Sequence, residues 1–195
     1  MQILKHNDLI EVPWKNGGGT TRNIARGLRV GQVAWTISRA DVRQDGPFSD
    51  FHGMTRILTV VSGGEMTLQA PTGSLAANMW EPVCFDGALK IQSRLKGAEL
   101  TDLNLMFDPQ YCRGDVTVHQ TPQKRQISLP SSGLLAFHVL AGSPVLDSVS
   151  LTTGDTAFFK QAGPDLELKP DDAILEIRLT LLDQSEAIKL RIADR

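Results

Sequence analysis

The 195-residue chain holds two cysteines, four histidines and one tyrosine, and each scarcity removes a class of function. Cys84 and Cys112 stand far apart with no CxxC spacing, so neither a disulfide framework nor a dithiol redox centre has support. Both read as small apolar side chains. His6, His52, His119 and His138 are isolated from one another, and none forms the H-x-H pair with a nearby Glu that imidazole and carboxylate chemistry needs to hold iron, manganese or nickel. His138, inside "LAFHVL", reads as a satisfied core histidine, and His52 beside "GPFSDF" does not make a metal site alone. No metal and no cofactor are expected.

Charge of one sign is lacking too. Lys and Arg number 20 against 22 Asp and Glu, for a net charge of -2, with no long run of either sign. The short "QKRQ" stretch (123–126) has no aromatic neighbour and reads as a solvated turn. Neither nucleic acid nor an acidic membrane surface is an expected partner. No apolar run approaches membrane-spanning length, and "MQILKHNDLIEVPW" is broken by Lys5, His6, Asp8 and Glu11, so no signal peptide is read and a cytoplasmic location is expected. A G-x-S-x-G elbow is absent and the cysteines lack an activating context, so no catalytic residue is assigned. Acid–base chemistry without metal stays open, because its two partners can come from distant positions.

What is present is strand after strand. "GQVAWTIS", "TRILTVV", "EMTLQ", "DLNLMF", "DVTVH", "LLAFHVL", "TAFFK" and "AILEIRLTLL" are rich in β-branched and aromatic residues and bounded by Gly, Pro, Asn and Asp, which predicts an all-β sandwich or barrel. The stretch "QSEAIKLRI" (184–192) is the one candidate for a short helix. With 41% apolar residues the chain can bury a core, as one large domain or two small ones. Internal similarity favours two. "RILTVVSGGEMTLQ" (56–69) shares its outline with "LAFHVLAGSPVLDS" (135–148), a strand, a turn at Gly63 or Gly142, and a second strand. "EPVCFDG" (81–87) echoes "GDTAFFKQAG" (154–163), and "DLNLMFD" (102–108) echoes "AILEIRLT" (173–180). This rhythm resembles that of a cupin, a small jelly-roll barrel, and predicts two cupin-like barrels. The first spans 1–110 and carries the candidate binding site; the second spans 111–195 and is structural.

"WKNGGGTT" (14–21) is the one glycine cluster. It is not a phosphate loop, since Lys15 precedes the glycines and Arg22 stands where G-x-G-x-x-G requires its last glycine. Asn16-Gly17 is a hairpin signal, yet Gly17, Gly18 and Gly19 together also suit close approach of a backbone or a ligand. A plain turn and a pocket wall are both consistent with the stretch. Arg56 opens the strand "RILTVV", where an inward guanidinium either grips a carboxylate or pairs with an acid such as Asp102. Alternation puts Asp102, Asn104 and Met106 on one face, either a cavity wall or a solvated surface. Alternation in "QVAWTIS" sets Val33, Trp35 and Ile37 against Ala34, Thr36 and Ser38, so Trp35 points inward, as core or as pocket wall.

"PWKNGGGTTRNIA" resembles the P-W-K-N-G-G-G-x-T-x-E-I-A signature of the HutD/Ves family. The likeness continues through "WTISRADVRQDGPFSDFHGMTRILTVVSGG" (35–64) and "GAELTDLNLMFD" (97–108), and it leaves the second half with only the cupin-like outline. Asn23 stands where the family usually has Glu, and Thr36 where it often has Arg. The resemblance implies a bicupin fold and an association with histidine utilisation or, in the Ves branch, with stress-induced expression. It implies a protein that binds a small carboxylate such as formylglutamate or urocanate without metal, through Trp14, Asn16, Gly17, Gly18, Thr21, Trp35, Arg56, Asp102 and Asn104. Two rivals remain: a metal-free enzyme acting on such a compound, and a stress-induced interaction protein with no ligand. A homodimer is compatible, since cupins often pair through their strands.

Overall fold

The computed structural model describes residues 1–182 and 188–193. Its strands are, in chain order, β1 (Gln2–Leu4), β2 (Glu11–Pro13), β3 (Gly19–Arg29), β4 (Gln32–Val42), β5 (Gly46–Pro47), β6 (Thr55–Ala70), β7 (Gly73–Ala77), β8 (Val83–Asp86) and β9 (Gln92–Phe107). They continue with β10 (Cys112–His119), β11 (Gln123–Gln126), β12 (Gly133–Ala141), β13 (Val145–Leu146), β14 (Val149–Ser150), β15 (Thr156–Phe159), β16 (Asp165–Leu168), β17 (Ala173–Leu181) and β18 (Lys189–Ile192). A single 3-10 turn at His6–Asp8 is the only helical element among the described residues, so the all-β expectation holds. No helix among them is long and apolar enough to cross a membrane.

The expected short helix is corrected in part. Lys189–Ile192 is a strand laid antiparallel on β3, while residues 184–187 of that expectation lie outside the described residues. The reason is periodicity: Leu190 and Ile192 are half-buried and alternate with exposed Lys189 and Arg191, which a strand accommodates and a helix does not. The expected turn at Gly63 is also corrected. β6 runs straight through it, and the register against β9 shifts between Val60 and Ser62 and again between Gly63 and Glu65. Gly63 sits at φ +89°, and a Cβ there would come within 2.3 Å of the Glu99 carbonyl oxygen, so it builds a bulge that bends the strand without ending it.

The chain divides into two units, one of Ile10–Tyr111 with Glu186–Arg195, the other of Met1–Leu9 with Cys112–Ser185. Tyr111 and Cys112 fall in different units, and neither unit is contiguous along the chain: β1 pairs with β15, and β18 pairs with β3. Each terminal segment supplies a strand to the unit formed by the other half of the chain, a long-range pairing with no local sequence signal.

The unit of Ile10–Tyr111, called here the glycine-loop unit, is built on one sheet of order β18-β3-β4-β9-β6-β7, with β2 also paired to β3, β5 to β9 and β8 to β6. The path ends at β18 and β7, so the sheet is open and the expected closed barrel is not formed by its pairings. Its core gathers Val42, Leu58, Val60, Met66, Leu68, Phe85 and Leu100, with Trp14 and Phe48 packed against it. In the second unit a sheet of order β1-β15-β12-β17-β10 and a sheet of order β11-β16-β13-β14 both contribute to one apolar core. There Phe137 and Phe159 meet edge to face at 5.8 Å. The three sequence echoes occupy matching places: β8 and β9 flank β6 as β15 and β17 flank β12.

Candidate functional site

Residues paired directly across neighbouring strands project to the same face, and three such rows build one concave surface in the glycine-loop unit. The first runs Thr21, Ala40, Asp102, Val60; the second Asn23, Ser38, Asn104, Leu58; the third Arg26, Thr36, Met106, Arg56. A register shift between Asn23 and Ala25 brings Arg26 rather than Ala25 into the third row. The polar ends of these rows floor a cavity of about 610 Å³. Pro13, Trp14, Lys15 and Asn16 wall it from one side, and Pro47, Phe48, Ser49 and Phe51 from another.

The glycine stretch is the hairpin turn between β2 and β3. Trp14 N donates to the Gly19 carbonyl at 2.9 Å, Gly17 N to the Trp14 carbonyl at 3.0 Å, and Gly18 N to Asn16 Oδ1 at 3.0 Å. Gly17 sits at φ +72°, and a Cβ on Gly19 would lie 2.2 Å from the Asp41 carbonyl oxygen. Conformation therefore demands the first glycine and close approach of a neighbouring strand the third. The glycines shape the turn, and its flanks face the cavity. The Trp14 indole, fixed by a 2.8 Å bond from Nε1 to Thr21 Oγ1, presents an aromatic wall.

Arg56, Asn104 and Asp102 form the polar centre. All three are buried, with Arg56 8% exposed and Asp102 1%. Arg56 Nε donates to Asn104 Oδ1 at 2.7 Å, and Asn104 Nδ2 donates in turn to Asp102 Oδ1. The guanidinium lies over the Phe48 ring at 4.4 Å and the Phe85 ring at 5.5 Å, so the aromatic faces hold it in place. Burial raises the Asp102 carboxyl to a pKa of about 6, and Arg56 and Asn104 only partly offset it. Asp102 Oδ2 and Thr36 Oγ1 are buried with no hydrogen-bond partner among the described residues. The site thus offers one cation with its terminal nitrogens uncommitted, an acid that titrates near neutrality, and aromatic walls. That set suits recognition of an anion by a small apolar cavity.

Six of the residues expected at the site line this cavity: Trp14, Asn16, Thr21, Arg56, Asp102 and Asn104. Gly17 and Gly18 do not, and neither does Trp35, whose ring packs over Gly27 on the opposite face of the sheet, where a Cβ on that glycine would lie 2.0 Å from the indole nitrogen. Asn23, Thr36, Ser38, Phe48 and Phe51 are added. Their signal was present in part: Thr36 and Ser38 alternate with Trp35, and a polar residue on a strand buried on both faces marks a cavity. His52 is an exposed side chain 3.3 Å from Asp50 and lies off the cavity. His138 is buried with Nδ1 2.9 Å from Thr156 Oγ1. Among the described residues no three His, Cys, Asp or Glu side chains converge as metal ligands.

The HutD family model matches residues 6–175. The chain belongs to the HutD family. An uncharacterised 21.2 kDa protein in the hutC 3' region of Pseudomonas putida is 36% identical over 118 residues, which cover 58% of this chain and 61% of that protein. Protein Ves of Citrobacter koseri is 28% identical over 92% of this chain and 95% of its own length. Among solved structures, HutD from Pseudomonas fluorescens SBW25, determined in a formate condition, superposes with a TM-score of 0.81 at 25% identity, covering 93% of this chain and 99% of that one. The Escherichia coli pirin YhhW in complex with nickel(II), at 9% identity and a TM-score of 0.65 over 90% of this chain and 97% of its own, shares the cupin-like all-β fold alone. Asn23 and Thr36, the two positions that depart from the signature, both line the cavity described above.

Proposed function

We propose that the protein binds a small carboxylate in the glycine-loop unit, without metal, in the service of histidine utilisation. The observation that carries the reading is the buried Arg56, whose one hydrogen bond among the described residues runs from Nε and leaves the terminal nitrogens toward the cavity. A guanidinium oriented this way grips a carboxylate with two parallel bonds at little reorganisation cost. Trp14, Phe48 and Phe51 take the apolar body of the ligand. The hutC-region location of the Pseudomonas putida relative supports a compound of histidine breakdown, such as formylglutamate or urocanate. The shared pairing of β6 and β12 with their neighbours supports reading the whole chain as a bicupin whose second unit is a support.

Calorimetric titration with formate, formylglutamate, urocanate and glutamate tests this reading. One of them should bind, and Arg56→Ala should abolish that binding while Arg56→Lys, which keeps the charge but loses the fork, weakens it. Undiminished binding by Arg56→Ala refutes it. A second reading, turnover without metal, is favoured by Asp102, an acid held near neutrality with one oxygen unpartnered. Chemical change of the bound compound, lost in Asp102→Asn, would distinguish it.

A further inference from the structure

The two units repeat one arrangement of strands, and the repeat leaves one place unfilled. In the glycine-loop unit β4 lies beyond β9, which pairs with β6; in the second unit β10 lies beyond β17, which pairs with β12. The chain order matches as well, β4, β6, β8 and β9 answering to β10, β12, β15 and β17. Along the far side of β4 runs β3, from Gly19 opposite Val42 to Arg29 opposite Gln32. Along the far side of β10 no strand is paired among the described residues, and no backbone hydrogen bond of their turns and loops reaches Cys112–His119.

An open edge is a template for another strand, and proteins blunt it with brevity, proline, lysine or a bulge. β10 has none of these. Its register against β17 is unbroken over eight residues, whereas the other strands that end a sheet, β1, β7, β11, β14 and β18, have five residues or fewer. It carries instead two opposite charges, Arg113 and Asp115, exposed on either side of Gly114. Neither has an ion-pair partner among the described residues, and Asp115 accepts only a 3.4 Å bond from the Thr117 hydroxyl. Paired residues in an antiparallel ladder share a face, so two copies of β10 related by a two-fold axis can meet only with that axis on a residue. With the axis on Gly114, Arg113 of each copy stands opposite Asp115 of the other, and this is the one position on β10 that pairs both charges of each copy. One residue further, on Asp115, the two carboxylates would face each other. Opposite charges directly across a strand pair stabilise it and like charges oppose it, so the edge is complementary to itself.

We propose that β10 is a dimerisation edge, on which a second copy of the chain lays its own β10 antiparallel, centred on Gly114, and joins two five-stranded sheets into one. A single strand pair lies at the small end of interface sizes, so the dimer is a weak one that fills as concentration rises. Sedimentation equilibrium over a concentration series reaching millimolar should show the wild-type mass climbing from monomer to dimer. Arg113→Asp sets acid against acid at both pairs, and Asp115→Arg sets base against base. Each should raise the dissociation constant about tenfold or more, the scale of two cross-strand pairs turned from opposite to like. Mixing the two variants restores opposite charges at both pairs and should return a dimer of one copy of each, a result that misfolding of either variant cannot produce. A wild type that stays monomeric throughout leaves the edge to the strand of a different protein and overturns the proposal. A dimer that neither single substitution weakens, or a mixture that associates no better than its components, overturns it too.

Discussion

Replacing Asp102 by Asn tests the electrostatics of the site through stability alone. Asp102 is buried, and its carboxyl is raised from 3.8 to about 6, chiefly by loss of solvent, against the pull of Arg56 and Asn104. Unfolded, the same carboxyl ionises near its ordinary value, so between about pH 4 and 6 the unfolded chain gives up this proton before the folded one does. The contribution of Asp102 to stability is therefore greatest in acid and is lost as pH rises through 6. At about 1.4 kcal/mol for each tenfold, the rise amounts to about 3 kcal/mol across that window. Asn cannot titrate, so urea unfolding of both proteins at several pH values should show Asp102→Asn gaining about 3 kcal/mol relative to wild type from about pH 4 to 7, whatever the offset between them. Subtraction cancels the other carboxyls, several of which act in the opposite direction. A difference that stays flat with pH would refute the reasoning.

Carboxylate binding should follow the same group: affinity falls as pH rises through about 6, because ionised Asp102 repels the ligand, and calorimetry at about pH 5 and 7 should show the fall in wild type but not in Asp102→Asn. Gly17→Ala places a side chain at positive φ and should cost about 1–2 kcal/mol, whereas Gly19→Ala drives a Cβ into the Asp41 carbonyl and should cost more; chemical denaturation of the two variants gives the order. Phe137→Ala removes a ring fully enclosed in the core of the second unit and should cost about 3–5 kcal/mol of unfolding free energy by the same assay.

Much of the site was legible because a strand writes its faces in alternation. Asp102, Asn104 and Met106 share a face in the sequence and share the cavity floor, and Arg56 at the head of its strand joins them. Trp35 shows the limit. β4 is buried on both faces, so alternation separates Trp35 from Thr36 without saying which side holds the cavity, and the large apolar ring went with the core. Gly63 shows another: a glycine inside a strand pattern serves a turn or a bulge equally well, and only the Glu99 carbonyl opposite it decides. Asn23 and Thr36 announced themselves as departures from a motif, but the residue that faces Thr36 across the strands, Arg26, depends on a register shift that no local pattern encodes.

The strand exchange at the two ends sets the order in which the protein can be finished. A ribosome delivers β1 ahead of every strand it pairs with and β18 behind every strand it pairs with: β1 joins a sheet whose other strands come from the second half, and β18 joins the sheet of the first. Neither half emerging from the tunnel holds all of its own strands. A chain cut between Tyr111 and Cys112 yields two fragments that each carry one strand belonging to the other. β3, which carries Thr21 and Asn23 of the cavity wall, therefore waits for β18 as an edge strand until the second half has been made, and a nascent or C-terminally clipped chain leaves that edge open.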